Sequence, residues 1–149
     1  MTWNASHPLS PTRLSEPMRA LLDAPVLIGE SAPADIEAAI STASLVELHF
    51  GVLVATDPDE QALRVSRLGA VEAAFEPLPI TARVAREWGR LAAAVSARGG
   101  QPRRRAVDLA IAATANVHGV PLLTHNAKDF AIISDLIDVR GAPSARALT

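Results

Sequence analysis

At 149 residues, with 49% hydrophobic and 20% charged side chains, the chain suits one domain that buries roughly two-thirds of its unfolded surface, which excludes disorder for the chain as a whole. It contains no cysteine, so disulfides, thiolate nucleophiles and sulfur-based zinc sites are excluded, and a reducing compartment suits it. The net charge of −2 argues against a generally basic nucleic-acid coat but says nothing of local clusters, and without a secretory signal or an apolar run of bilayer length the chain is expected in the cytoplasm.

In chain order, residues 1–18 read as an extended or disordered leader, because Pro8, Pro11 and Pro17 stand among Ser, Thr and Asn without periodicity. Met18 offers a second possible start of translation. The domain is expected over 19–149. Its first element is a buried strand ending near Asp23, in an apolar run that continues to Ile28 and is broken by Pro25. A short helix is expected next, then a unit at Ile36 to Thr42. Ser44-Leu-Val-Glu47 has the form of a capping box opening a helix over about 45–54.

Asp57-Pro58, with Asp59 and Glu60 behind it, opens a second helix to about residue 73, with Leu63, Leu68 and Val71 on its inner face. Residues 76–80 read as extended. Thr81 caps a third helix to about Arg98, stopped by Gly99-Gly100. A helix from Ala106 to His118 ends at Gly119 and is followed by a buried strand at 120–124, with a last strand at 137–140. Strands alternating with helices imply a parallel α/β sheet with helices on both faces, and ligands gathered at the carboxyl ends of the strands.

Four acids draw attention in that frame. Asp23 ends a buried strand, where an ionised carboxylate costs several kcal/mol unless something pairs with it; a turn or cap role is the plainer alternative. Asp108 interrupts a helix that is apolar nearly all round, which demands a partner, either a ligand or Arg104 or Arg105. Glu47 is already accounted for by the capping box. Asp129 follows the strand ending at Thr124, in the turn-forming run Asn126-Ala-Lys-Asp. Three of them stand at a strand end or a helix start, which an open parallel sheet brings to one edge, where mutual repulsion must be offset by a cation. Oxygen donors without cysteine or a His pair select a hard ion, Mg²⁺ or Mn²⁺, and such ions serve phosphodiester hydrolysis by activating a water.

Four segments, LLDAPVLI, STASLVELHFGV, RRRAVDLAIAATA and GVPLLTHNAKDF, resemble the PIN domain over about residues 19–140, and in size and in the third segment are similar to the VapC toxins of bacterial VapBC toxin–antitoxin pairs. The resemblance implies a three-layer α/β/α fold with a short central parallel sheet and Mg²⁺- or Mn²⁺-dependent ribonuclease activity. It makes Asp23 and Asp108 principal metal ligands, completed by Asp129 and Glu47, with Glu47 acting through water. It also implies a homodimer and a VapB antitoxin whose C-terminal segment covers the site. One departure stands out: the family follows its first Asp with Ser or Thr and then Asn or Ser, whereas Ala24 and Pro25 follow Asp23. Lost outer hydrogen bonds commonly cost ten- to a hundredfold in metal affinity.

Arg104, Arg105 and Asn126 are candidate RNA contacts; for the arginines, including Arg103, pairing with acids of the same chain is the alternative. His49, His118 and His125 have no zinc spacing, and Trp88 shares the spacing of Val84, Leu91 and Val95, which reads as core or dimer packing. With only five aromatics, recognition by base stacking is not expected. Two further readings stay open: a catalytically weak RNA- or antitoxin-binding module, suggested by Ala24 and Pro25, and an aspartyl-phosphate phosphatase, against which Pro25 stands where a second acid is needed.

Overall fold

The computed structural model describes residues 18–23 and 36–142. Four short strands, β1 (Met18–Leu22), β2 (Ile36–Ala39), β3 (Leu122–Thr124) and β4 (Val139–Gly141), form one parallel sheet in the order β2-β1-β3-β4. The two central strands carry the apolar residues Leu21, Leu22, Leu122 and Leu123, paired in register. Successive side chains of a strand point to opposite faces, and the core divides accordingly. Leu21, Ala39 and Leu122 pack on one side; Ala20, Leu22, Ala38 and Leu123 pack on the other.

Helices cover both sides. Helices α3 (Ala82–Ala97) and α4 (Ala106–Val117) cover the Leu21 face, through Val84, Leu91, Val95 and the run Leu109 to Ala113. Helices α1 (Thr42–Val54) and α2 (Pro58–Ala74) cover the other, through Leu48, Leu68 and Val71. This is the expected three-layer α/β/α arrangement. Every residue of α4 from Leu109 to Ala115 is buried, so Asp108, in the first turn, directly precedes a stretch of helix sealed in the core.

Local chemistry fixes most of the boundaries. Asp57 and Thr81 cap α2 and α3, accepting from the backbone N–H of Glu60 at 2.9 Å and of Val84 at 3.2 Å. After α4 the chain reverses at Gly119, whose φ of +66° suits glycine. Short 3₁₀ turns at Pro102–Arg105 and Ala127–Ile133 precede α4 and follow β3.

Several expectations change. Ser44 is not a cap: α1 begins at Thr42, Ser41 accepts from the N–H of Ala43 at 3.0 Å, and Ser44 lies buried inside the helix without a hydrogen-bond partner for its hydroxyl. The start is set earlier by a backbone bridge, in which Leu78 N–H donates to Ile40 and Thr42 N–H donates to Leu78. Leu63 is 44% exposed rather than inward-facing. The last two strands each begin two residues later than expected, and Met18, assigned to the leader, is the first residue of β1. The rest of the leader, Ala24, Pro25 and the short helix expected there lie outside the described residues.

Candidate metal centre

Asp23 is the residue immediately after β1, and its N–H donates to the carbonyl of Leu123 at 3.0 Å, which keeps it on the carboxyl edge of the sheet. Only 5% of its surface is exposed. The hydroxyl of Thr124, the last residue of β3 and itself buried, donates to Asp23 Oδ2 at 2.9 Å and accepts from the N–H of Asn126 at 3.1 Å. One hydroxyl thus ties the buried carboxylate to the turn that carries Asp129.

The other three acids approach from different elements. Glu47 projects from α1, Asp108 from the first turn of α4, and Asp129 from the 3₁₀ turn after β3. Burial, reinforced by the charges of Asp23 and Asp108, pushes the Glu47 carboxyl up to about 7. Asp108 is raised first by burial, then by Asp23, with Asp129 adding to the rise and Arg105 opposing it. Glu47 and Asp108 therefore both lie in the field of the Asp23 charge, which disfavours their ionisation, and Asp129 adds to that field at Asp108.

A cation already stands in it. Arg105 Nη1 lies 3.6 Å from Asp108 Oδ2 and 3.5 Å from Asp129 Oδ2, spanning the two carboxylates from a position 45% exposed. Of the arginines proposed for RNA, Arg105 thus pairs with acids of its own chain, while Arg104 lines a cavity on the same side with Lys128. The N–H of Asn126 supports Thr124, its carbonyl accepts from Asp129 N–H at 2.9 Å, and its side chain is exposed. His49 is occupied by Glu72, at 3.0 Å, and Trp88 packs against the core. Thr124, readable from its strand-end position as a group able to hydrogen-bond a ligand or carboxylate, does bond a carboxylate, whereas nothing local marked Lys128.

The model of the PIN domain matches residues 9–136. The chain belongs to the PIN-domain family. Among curated proteins this PIN domain is similar to Ribonuclease VapC4 of Mycobacterium tuberculosis, 36% identical over 125 residues that cover 79% of this chain and 93% of the relative. It is 32% identical to Ribonuclease VapC5 of the same organism over 130 residues, 83% of this chain and 93% of the relative. Among solved structures it is similar to VapBC-5 of Mycobacterium tuberculosis, a member of the VapBC family of toxin–antitoxin systems, at 34% identity with a TM-score of 0.70, covering 84% of this chain and 98% of that one. VapBC2 of Rickettsia felis, at 22% identity, 85% and 100% coverage and a TM-score of 0.65, shares the fold.

Whether the acids suit a divalent ion has two sides. The donor set fits: carboxylates and a hydroxyl are hard oxygen groups, they repel one another as they stand, and Arg105 shows that the cluster draws a cation. Their spacing is open, since among the described residues no three His, Cys, Asp or Glu side chains are already arranged to hold an ion. Asp23 is fixed by burial and by Thr124, whereas Glu47, Asp108 and Asp129 are only partly buried.

Proposed function

We propose that this PIN domain is the ribonuclease toxin of a type II toxin–antitoxin pair, hydrolysing RNA phosphodiester bonds at the Asp23, Glu47, Asp108 and Asp129 cluster with Mg²⁺ or Mn²⁺. The observation that carries the reading is the convergence of acids from separate elements on one buried carboxylate, Asp23, whose charge disfavours the ionisation of Glu47 and Asp108. The names of the Mycobacterium tuberculosis relatives support ribonuclease activity.

Asp23 would be the fixed ligand, Asp108 and Asp129 would join it by turning away from Arg105, and Glu47 would act through a water. A divalent ion bound there would supply charge neutralisation and lower the pKa of the attacking water. Arg105, no longer held by the two aspartates, would face the phosphate, where water oxygen bonds to phosphorus as the bond to the leaving oxygen breaks and a proton of the water passes to that leaving oxygen. Asn126 and Arg104 flank that position as RNA contacts.

A VapB-type antitoxin, a homodimer and a cytoplasmic location belong to the same reading. The likeness to VapBC-5, a member of the VapBC family of toxin–antitoxin systems, supports the first. Val46, Phe50 and Leu53, at helical spacing on α1, are 59%, 64% and 78% exposed, an apolar stripe of the kind that protein partners cover. No helix among the described residues is long and apolar enough to cross a membrane. Light scattering of the purified chain, alone and with the product of a neighbouring reading frame, tests both assemblies.

The experiment that decides is cleavage of cellular RNA in Mg²⁺, with 5′-end mapping. Asp23→Asn and Asp108→Asn are expected to lose activity by more than the ten- to hundredfold that outer partners of a metal are worth; full cleavage by both would overturn the proposal. The open spacing of the acids favours a second reading, a catalytically weak PIN-like module. Metal-independent RNA or antitoxin binding without turnover would establish that reading instead.

A further inference from the structure

Beside the acidic cluster lies a cavity of about 380 Å³, lined by Gly100, Arg104, Arg105, Lys128 and Asp129 with Val95 and Ile132 as apolar wall. Three cations face one carboxylate. Arg105 is engaged with Asp108 and Asp129, but neither Arg104 nor Lys128 has a side-chain hydrogen bond or ion pair among the described residues. With Asp129 taken up by Arg105, Arg104 and Lys128 leave the cavity net positive, and like charges in a concave site focus a potential that attracts an anion.

The shape of the cavity is specified too. A Cβ on Gly100 would stand 2.7 Å from Val95 Cγ1 and 2.8 Å from Ile132 Cδ1, so a larger residue there would push the apolar wall away from this turn. The position is equally telling. Arg105 and Asp129 belong both to the cavity and to the cluster, so an anion in the cavity and a phosphate at the acids would be immediate neighbours.

We infer that the cavity holds the RNA phosphate adjacent to the scissile one, with Arg104 and Lys128 as positioning residues that set the strand's register. The inference rests on the ribonuclease reading above. Contacts to phosphate carry no base information, so these two residues strengthen binding alike for every sequence and leave the choice of cut site to other groups.

Titrating the full chain with a 2′-O-methyl RNA dodecamer in EDTA, over a range of salt concentrations, tests this directly. Each phosphate contact with a single strand contributes a slope of about 0.7 to the dependence of log affinity on log salt. Arg104→Gln/Lys128→Gln is expected to lower the slope by about that amount, while Arg104→Lys retains it and Arg86→Gln, on a distant turn of α3, matches wild type. In cleavage assays the double variant should raise KM about tenfold with kcat within about twofold, the pattern of lost uniform binding.

An unchanged slope and KM in the double variant, beside a wild-type chain that cleaves, overturns the cavity while leaving the ribonuclease reading intact. Loss of antitoxin binding with the RNA slope unchanged assigns the cavity to a protein partner and overturns it as well. A wild-type chain that neither binds nor cleaves RNA removes both.

Discussion

At the scale of single residues, Thr124 decides how Asp23 is presented. Its hydroxyl is donor to the carboxylate and acceptor for Asn126 N–H at once, so Thr124→Val keeps the shape and leaves two polar groups short of a partner. The expected loss is about 1–3 kcal/mol in urea unfolding, with Mn²⁺ affinity, read by electron paramagnetic resonance, reduced ten- to a hundredfold. Thr124→Ser should recover both; a valine variant equal to wild type would show that Asp23 is oriented by something else. Arg105 poses the opposite case, a residue whose removal helps an ion to bind. Because it spans Asp108 and Asp129, Arg105→Gln should lower the Tm of the metal-free chain yet enlarge the Tm gain on adding Mn²⁺. An equal or smaller gain would mean that the guanidinium does not compete with the ion.

At the scale of elements, the start of α1 offers a clean contrast between two serines. Ser41 caps the helix, so Ser41→Ala should cost about 1 kcal/mol. Ser44 is buried with its hydroxyl unpartnered, so Ser44→Ala should stabilise by up to about 1 kcal/mol, since it removes an orphaned polar group and adds a good helix former. Urea unfolding of the two variants would reverse this order if Ser44 were the cap. The same pair shows what is readable without coordinates. Asp57-Pro58 and Thr81 were legible as helix starts because their bonds reach only three residues. The choice between Ser41 and Ser44 was not, because it depends on Leu78, a residue more than thirty positions away that bridges to Ile40 and Thr42. In the same way Asp23, Asp108 and Asp129 could be placed at one edge from strand ends and helix starts, while the approach of Arg105 to Asp129 and its place beside Lys128 exist only once β3 and α4 are packed.

At the scale of the whole molecule, the acidic cluster links folding to pH. Glu47 has a carboxyl near 7 in the fold against an ordinary 4.5, and Asp108 is shifted in the same direction. A raised carboxylate binds more protons folded than unfolded, so its contribution is favourable below about 4.5 and is lost as pH rises towards 7. His118 works against this: burial lowers its pKa, so it withdraws stability as pH falls through the region below 6.5. The difference in unfolding free energy between wild type and Glu47→Gln cancels His118 and every other group the substitution leaves undisturbed. In EDTA that difference should fall steadily between pH 4.5 and 7 and flatten above. Saturating Mn²⁺ should abolish the fall, because a cation at the cluster restores the carboxylates to their ordinary range. A flat difference in EDTA would mean that Glu47 does not share the field of Asp23 and Asp108. A slope that persists in Mn²⁺ would mean that the ion is held away from Glu47, and would shift the metal towards Asp108 and Asp129.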